Sequence, residues 1–409
     1  MMYDRYVARM VTRVTEPASP RRRLTARALV AVITAGALGA CADDSPVQPT
    51  AKVPKGGVKA LTFVGANILP AGQQFADKVA FVTGSAWGKA PYVQVYDKVG
   101  KQMARFQAFN DSWDTGPGAE VAIGDVDGDG WPDIIVGEGP TANSPYGSRF
   151  GVWNGRTGAF IDGWATSWNH RGGLRVGAGD LDGNGRAEVF TCYGPSSQAT
   201  VVDVMTLNPT THLIGRSSAL SIGLGFFTGK HTYEGCRVAG GDVTGDKRDE
   251  MVVMFDGPNN TLWIHDPAIG GYGNRLYSKP LGTSYTGYAS LAVGHMNGDG
   301  KAEVFLGRLA AMDMNPPVRI FDGAAFLETT ALPVPKIVYP LENTMMNTGV
   351  HVAAHDLTGD KLAELIAKPT TARNYSTVAA RISWGFTYVS LLFHFYEPPG
   401  NIISGGPVG

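Results

Sequence analysis

The chain has 409 residues, enough for one large all-β domain or two smaller ones. Its 54 glycines, 25 prolines and 17% charged residues suit short strands joined by tight turns and argue against a helical bundle or a disordered chain. Formal net charge is −1 and no basic face stands out, which argues against a nucleic-acid partner. The three cysteines, Cys41, Cys192 and Cys236, make no C-x-x-C pair, and HExxH, GxSxG and P-loop patterns are absent.

Residues 1–40 read as an address. Arg21, Arg22, Arg23 and Arg27 precede an apolar run over 28–40. As a helix that run covers roughly 20 Å, too short for a ~30 Å hydrocarbon core. A basic flank, a short apolar stretch and small residues before a cut site describe an export signal. The run ends Leu38, Gly39, Ala40, Cys41, which resembles the lipobox of bacterial lipoproteins. The resemblance implies that Cys41 carries lipid on its sulfur, becomes the mature N-terminus and ties the chain to a membrane. Ala42 rather than Asp follows it, which in that family leans towards the outer membrane. An ordinary cleaved signal peptide and a twin-arginine signal at Arg22 and Arg23 are the alternatives. Residues 41–57 are polar and rich in Pro and read as a tether.

From 58 to 409 one pattern repeats. Segments 121–133, 176–188, 238–250, 291–303 and 352–364 each pass from an apolar run through an acidic loop into a second apolar run. The loops begin at Asp125, Asp180, Asp242, His295 and Asp356, and the ninth loop residue is always acidic: Asp133, Glu188, Glu250, Glu303 and Glu364. Each loop is followed by a short β-branched or aromatic stretch that reads as a buried strand, and a further strand comes some 25 residues later. Repeats of this length have room for four strands and describe propeller blades. The predicted fold is therefore an all-β β-propeller with four-stranded antiparallel blades, six in number, with seven as the alternative. Residues 58–110 read as a blade that has lost its loop, with Asp77 near the ninth place. The strand that closes the ring is either 60–65 or the tail after Leu391.

The loops carry the chemistry of a hard cation. Calcium takes six to eight oxygens. Carboxylates at the first, third, fifth and ninth places of 125–133 (Asp125, Asp127, Asp129 and Asp133) can curl around one ion. The fourth residue is Gly in all five loops (Gly128, Gly183, Gly245, Gly298, Gly359), as a sharp turn requires. The other candidate ligand sets are Asp180, Asp182, Asn184 and Glu188; Asp242, Thr244, Asp246 and Glu250; His295, Asn297, Asp299 and Glu303; and Asp356, Thr358, Asp360 and Glu364. The pattern D-x-D-x-D-G-x-x-D between strands, recurring every 53–62 residues, resembles the FG-GAP/VCBS repeat of integrin α-subunit propellers and of many secreted bacterial proteins. The resemblance implies a propeller with calcium on the loops of one rim, at up to five sites. Ranked by ligand charge, the 125–133 loop should bind best, 180–188 next, then 242–250 and 356–364, and the His295 loop worst. Lys247 and Lys361 stand where the other loops have a second Gly.

The expected role is an envelope-anchored binding, adhesion or scaffold module with a protein or glycan ligand. A lectin-like propeller using Trp87, Trp113, Trp153, Trp164 or Trp168 as stacking faces is the alternative. A polysaccharide lyase-like enzyme with His170 or His231 as base is the third reading. Cys192 and Cys236 lie on neighbouring repeats and are candidates for a disulfide in an oxidising compartment.

Overall fold

The computed structural model describes residues 67–109, 116–141, 147–165, 170–195, 202–216, 235–255, 261–266, 275–281, 289–309, 316–328, 332–341, 349–370, 377–382 and 389–395. All of them lie in one unit, Leu61–Gly409. The expected signal at 1–40, the tether at 41–57 and Cys41 lie outside the described residues, as do Trp113, Trp168 and His231. Among the described residues no helix is long and apolar enough to cross a membrane.

Five four-stranded antiparallel sheets follow one another along the chain. They are β4–β7 (Ala119–Gly124, Asp133–Glu138, Arg149–Trp153, Phe160–Ala165) and β8–β11 (Leu174–Gly179, Glu188–Tyr193, Val202–Leu207, Ile214–Arg216). Next come β12–β15 (Cys236–Gly241, Glu250–Phe255, Thr261–His265, Arg275–Pro280) and β16–β19 (Ala289–Gly294, Glu303–Arg308, Val318–Phe321, Lys336–Val338). The last is β20–β23 (Val350–His355, Glu364–Pro369, Thr377–Ile382, Val389–Phe395). A three-stranded sheet, β1–β3 (Phe81–Gly84, Tyr92–Tyr96, Gln102–Gln107), precedes them. One short helix, α1 (Gly323–Glu328), follows β18.

The expected count of six four-stranded blades is corrected to five among the described residues. Register explains the shortfall. Phe81 pairs with Tyr96 as Ile134 pairs with Trp153, so β1 is the equivalent of a second strand, and no first strand of that sheet lies among the described residues. Segment 60–65 lies outside the described residues. Of the tail after Leu391, the residues up to Phe395 belong to β23, which pairs with β22 at the outer edge of the last blade; residues 396–409 lie outside the described residues. The same register puts Ala80, not Asp77, at the ninth place of the loopless sheet.

Both faces of each second strand are covered, which is why these strands read as continuous apolar runs rather than alternating ones. In β13, Met251 and Val253 enter the cluster shared with the preceding blade, while Val252 and Met254 enter the one shared with the following blade. The ring closes through packing: Phe81 and Tyr96 of the first sheet share a buried cluster with Ala353, Leu357 and Ile366 of the last blade. Cys192 on β9 and Cys236 at the start of β12 form a disulfide between adjacent blades, with Cα atoms 5.7 Å apart.

The inner strands crowd together near the axis. A Cβ on Gly240 would stand 2.3 Å from the Ala178 carbonyl oxygen, so only Gly fits there. What remains is a channel of about 90 Å³ walled by Val121, Val176, Val238, Leu291, Val352 and His355 among others.

Candidate metal rim

Each acidic loop joins the first strand of a blade to the second, so all five lie at one end of the ring. Their closure is identical. The residue before the loop pairs with the ninth-position acid: Gly124 with Asp133, Gly179 with Glu188, Gly241 with Glu250, Gly294 with Glu303 and His355 with Glu364. As first residues of their strands these acids point inward, and all five are buried. Each accepts a hydrogen bond from the N–H of the second loop residue: Val126 at 2.9 Å, Leu181 at 2.9 Å, Val243 at 2.7 Å, Met296 at 2.6 Å and Leu357 at 2.7 Å. Those second residues are themselves buried and apolar, and they pin the loop to the blade.

The first Asp works from the other side. Asp125 accepts from Gly128 N and Gly130 N, both at 2.8 Å; Asp180 accepts from Asn184 N and Gly185 N; Asp242 accepts from Gly245, Asp246 and Lys247; Asp356 accepts from Gly359 and Lys361. This folding needs left-handed backbone at the fourth and sixth places. Gly128 (φ +77) and Gly130 (φ +82) supply it in the first loop, whereas Lys247 (φ +72) and Lys361 (φ +69) adopt it against their sterics.

The result gathers carboxylates. Asp125, Asp127 and Asp133 each offer an oxygen within 4.8 Å of the others; so do Asp180, Asp182 and Glu188, and Asp242, Asp246 and Glu250. In the fourth blade the group is Asp299, Glu303 and Asp322, without His295. The fifth loop's acids (Asp356, Asp360, Glu364) do not converge in threes; Thr358 Oγ1 donates to Glu364 at 3.2 Å instead. The neutral third residue of the third loop, Thr244, likewise donates to Glu250 at 2.9 Å. Asn184, Asn297 and Asp129 each accept a backbone N–H within their own loop. Asp246 is also ion-paired with Arg248.

Burial pushes the ninth-position acids up, to about 8 for Asp133 and Glu303 and about 7 for Glu188 and Glu250. Asp249, at the eighth place of the third loop, is raised to about 6 by burial and by Asp180 and Asp242 nearby. A buried, clustered carboxylate is costly to ionise without a cation beside it. The donor set is all oxygen, and Glu303 Oε1 is buried with no hydrogen-bond partner among the described residues. These residues therefore fit a hard divalent cation.

Two contributors lie outside the loops and escaped sequence reasoning. Asn154, one residue past β6, donates from Nδ2 to Asp127 at 2.7 Å. Asp322 stands one residue past β18, the same place in its blade. A polar residue directly after the third strand, seen in Asp97, Asn154, Asp266 and Asp322, was the available signal.

The other candidate residues fall elsewhere. Trp153 is core, packed on Phe106 and Phe160; Trp164 is half-buried against the next blade's cluster; Trp87 is 48% exposed. His170 is fully buried, stacked on Tyr193 with Nε2 3.0 Å from Gly173 O, and burial lowers its pKa.

Residues 125–191, the first two loops and the strands between them, match the FG-GAP-like repeat family. No curated protein matches the chain. Similar solved structures include the exotype rhamnogalacturonan lyase YesX (11% identity, 82% of this chain and 86% of that one, TM-score 0.38). A lectin of Agrocybe aegerita that recognises non-reducing terminal N-acetylglucosamine aligns at 15% identity over 77% and 75% of the two chains, with TM-score 0.41. AofleA from Arthrobotrys oligospora aligns at 8% identity over 82% and 91%, with TM-score 0.46. The chain is a β-propeller that carries an FG-GAP-like repeat.

Proposed function

We propose that the chain is a calcium-binding propeller that works as a binding, adhesion or scaffold module at the bacterial envelope. The observation that carries the metal half is the repeated register: four carboxylate groups, each built around a buried ninth-position acid, on one rim. Calcium there would link loop to blade, holding rigid the surface from which neighbouring loops meet a protein or glycan ligand. Anchoring through lipid on Cys41, in the outer membrane, follows from the lipobox resemblance. The Cys192–Cys236 disulfide supports export to an oxidising compartment. The test has two arms. Calcium should raise the melting temperature and EDTA lower it, and crosslinking in intact envelopes should capture a ligand in calcium that is lost in EDTA. A melting curve indifferent to both additions would overturn the metal reading; capture unchanged by EDTA would separate the rim from ligand binding.

A further inference from the structure

The fourth loop starts from the weakest set of ligands. Its first residue is His295 and its third is Asn297, so only Asp299 and Glu303 remain of the acids that the 125–133 loop carries. His295 also leaves the turn uncapped by a carboxylate, since no first-position Asp is there to accept the N–H groups of Gly298 and Gly300. The structure nevertheless assembles three carboxylates at this place, because Asp322 comes in from the end of the third strand.

The fold delivers it. Val304, next to Glu303, pairs with Phe321, and the chain then turns at Asp322 into α1. A Cβ on Gly323 would meet the Ala302 carbonyl oxygen at 1.9 Å, so the turn after Asp322 lies directly against the loop. Ala324 N donates to Asp322 Oδ1 at 2.9 Å, which fixes the carboxylate's orientation. In the first blade the equivalent residue, Asn154, reaches its loop as well, but as a donor to a third-position carboxylate. In the fourth blade, where the third loop residue is the neutral Asn297, the equivalent residue is an acid, Asp322.

A second observation concerns the hydrogen bonding of Glu303 rather than the grouping of the acids. Glu303 is fully buried, and its Oε1 has no hydrogen-bond partner among the described residues, while Oε2 takes Met296 N at 2.6 Å. In the third and fifth blades the matching oxygen of Glu250 or Glu364 is satisfied by a threonine hydroxyl. Asn297 provides no such donor here: its Nδ2 is directed to Asp299 at 3.1 Å. A buried carboxylate with one oxygen unpartnered, grouped with two further carboxylates, is the environment a cation completes.

We infer that Asp322 is a metal ligand, forming with Asp299 and Glu303 an all-oxygen site for a calcium-sized divalent cation in the fourth blade. The inference rests on the metal reading of the rim. It reverses the expectation that the His295 loop binds worst, since a residue outside the loop replaces the missing carboxylate.

The test is site-resolved. Crystals of the protein soaked in Tb3+, a calcium surrogate with strong anomalous scattering, should show a peak among Asp299, Glu303 and Asp322. Asp322→Asn keeps a capping side chain for α1 and should lose that peak while keeping the one at 125–133. Asp299→Asn, on the exposed loop, should lose it as well and serves if the first variant fails to fold. A fourth-blade peak of undiminished height in Asp322→Asn would overturn the assignment, as would its absence from the wild type while the first loop is occupied. Absence from every loop would instead remove the metal reading of the whole rim.

Discussion

The carbonyl oxygen of Asp125 accepts a hydrogen bond from Ala187 N at 2.7 Å, joining the first residue of one acidic loop to the eighth residue of the next. The relationship continues around the rim: Asp180 O takes Asp249 N at 2.9 Å, Asp242 O takes Ala302 N at 2.6 Å, and His295 O takes Ala363 N. The loops thus form a chain, each link next to a ninth-position acid, and between the second and third loops Asp180 N also donates to Asp249 Oδ2 at 2.8 Å. The one eighth-position residue without an N–H is Pro132, in the blade preceded by the loopless sheet, where there is no loop to join.

That exception provides a clean perturbation. The backbone at this place accommodates proline in the first loop, so Ala187→Pro should remove the Asp125–Ala187 link and little else. The expected cost is about 1 kcal/mol, the net value of one hydrogen bond. Calcium affinity should fall at the 125–133 loop as well as at 180–188, read by titration against Asp182→Asn. Unchanged stability and affinity would mean the link is incidental.

The loops were legible because their chemistry is contiguous: nine residues contain the clustered acids, the turn glycines and the acid that closes the hairpin. Asp322 was not, because it joins the site only through the pairing of Val304 with Phe321, and strand register is invisible in a linear pattern. The fifth loop misleads in the opposite way. Its sequence resembles the third, with Thr at the third place and Lys at the sixth, yet its acids do not converge. Blade number failed for a related reason: a loopless sheet gives no landmark for counting strands, so Asp77 was aligned three residues away from the place that register assigns to Ala80.

Removing metal should cost measurable stability. Extracellular calcium modules typically bind at ~10⁻⁴–10⁻³ M. Each occupied site then stabilises the fold by about 0.4–1.4 kcal/mol at roughly millimolar calcium. Four sites would contribute on the order of 2–6 kcal/mol, a large part of a typical domain's margin. Asp127→Ala should lower the calcium-dependent rise in melting temperature more than Asn297→Ala. Asp127 belongs to its loop's converging carboxylates, whereas Asn297 is engaged with Asp299. Equal effects would show that the third loop position does not distinguish the two sites.

Lys247 and Lys361 pay for the sixth-position turn with left-handed backbone that lysine disfavours by roughly 1–2 kcal/mol. Lys247→Gly and Lys361→Gly should each stabilise the protein by about 1 kcal/mol or less, the extra freedom of glycine in the unfolded chain offsetting part of the gain. Denaturant melts with calcium present should show the gain at both positions. A loss at either would mean that the lysine side chain contributes more than its backbone costs.

The pH dependence should change sign with calcium. In the metal-free protein Asp133 and Glu303 titrate near 8 and Glu188 and Glu250 near 7, against about 4 in the unfolded chain. Between those values the folded state holds more protons than the unfolded one, so these groups' contribution is full below about pH 4 and is lost as pH rises through 7 to 8. His355, lowered to about 4 by burial, acts oppositely, but its effect is complete by about pH 6.5, its unfolded value. From about pH 6.5 to 8 the carboxylates therefore dominate among these groups, and the melting temperature in EDTA should fall across that window. Calcium binds the ionised form, so saturating calcium should abolish the fall or turn it into a rise. Parallel melting curves with and without calcium, differing only by a constant offset, would show that the ninth-position acids do not ionise at the metal.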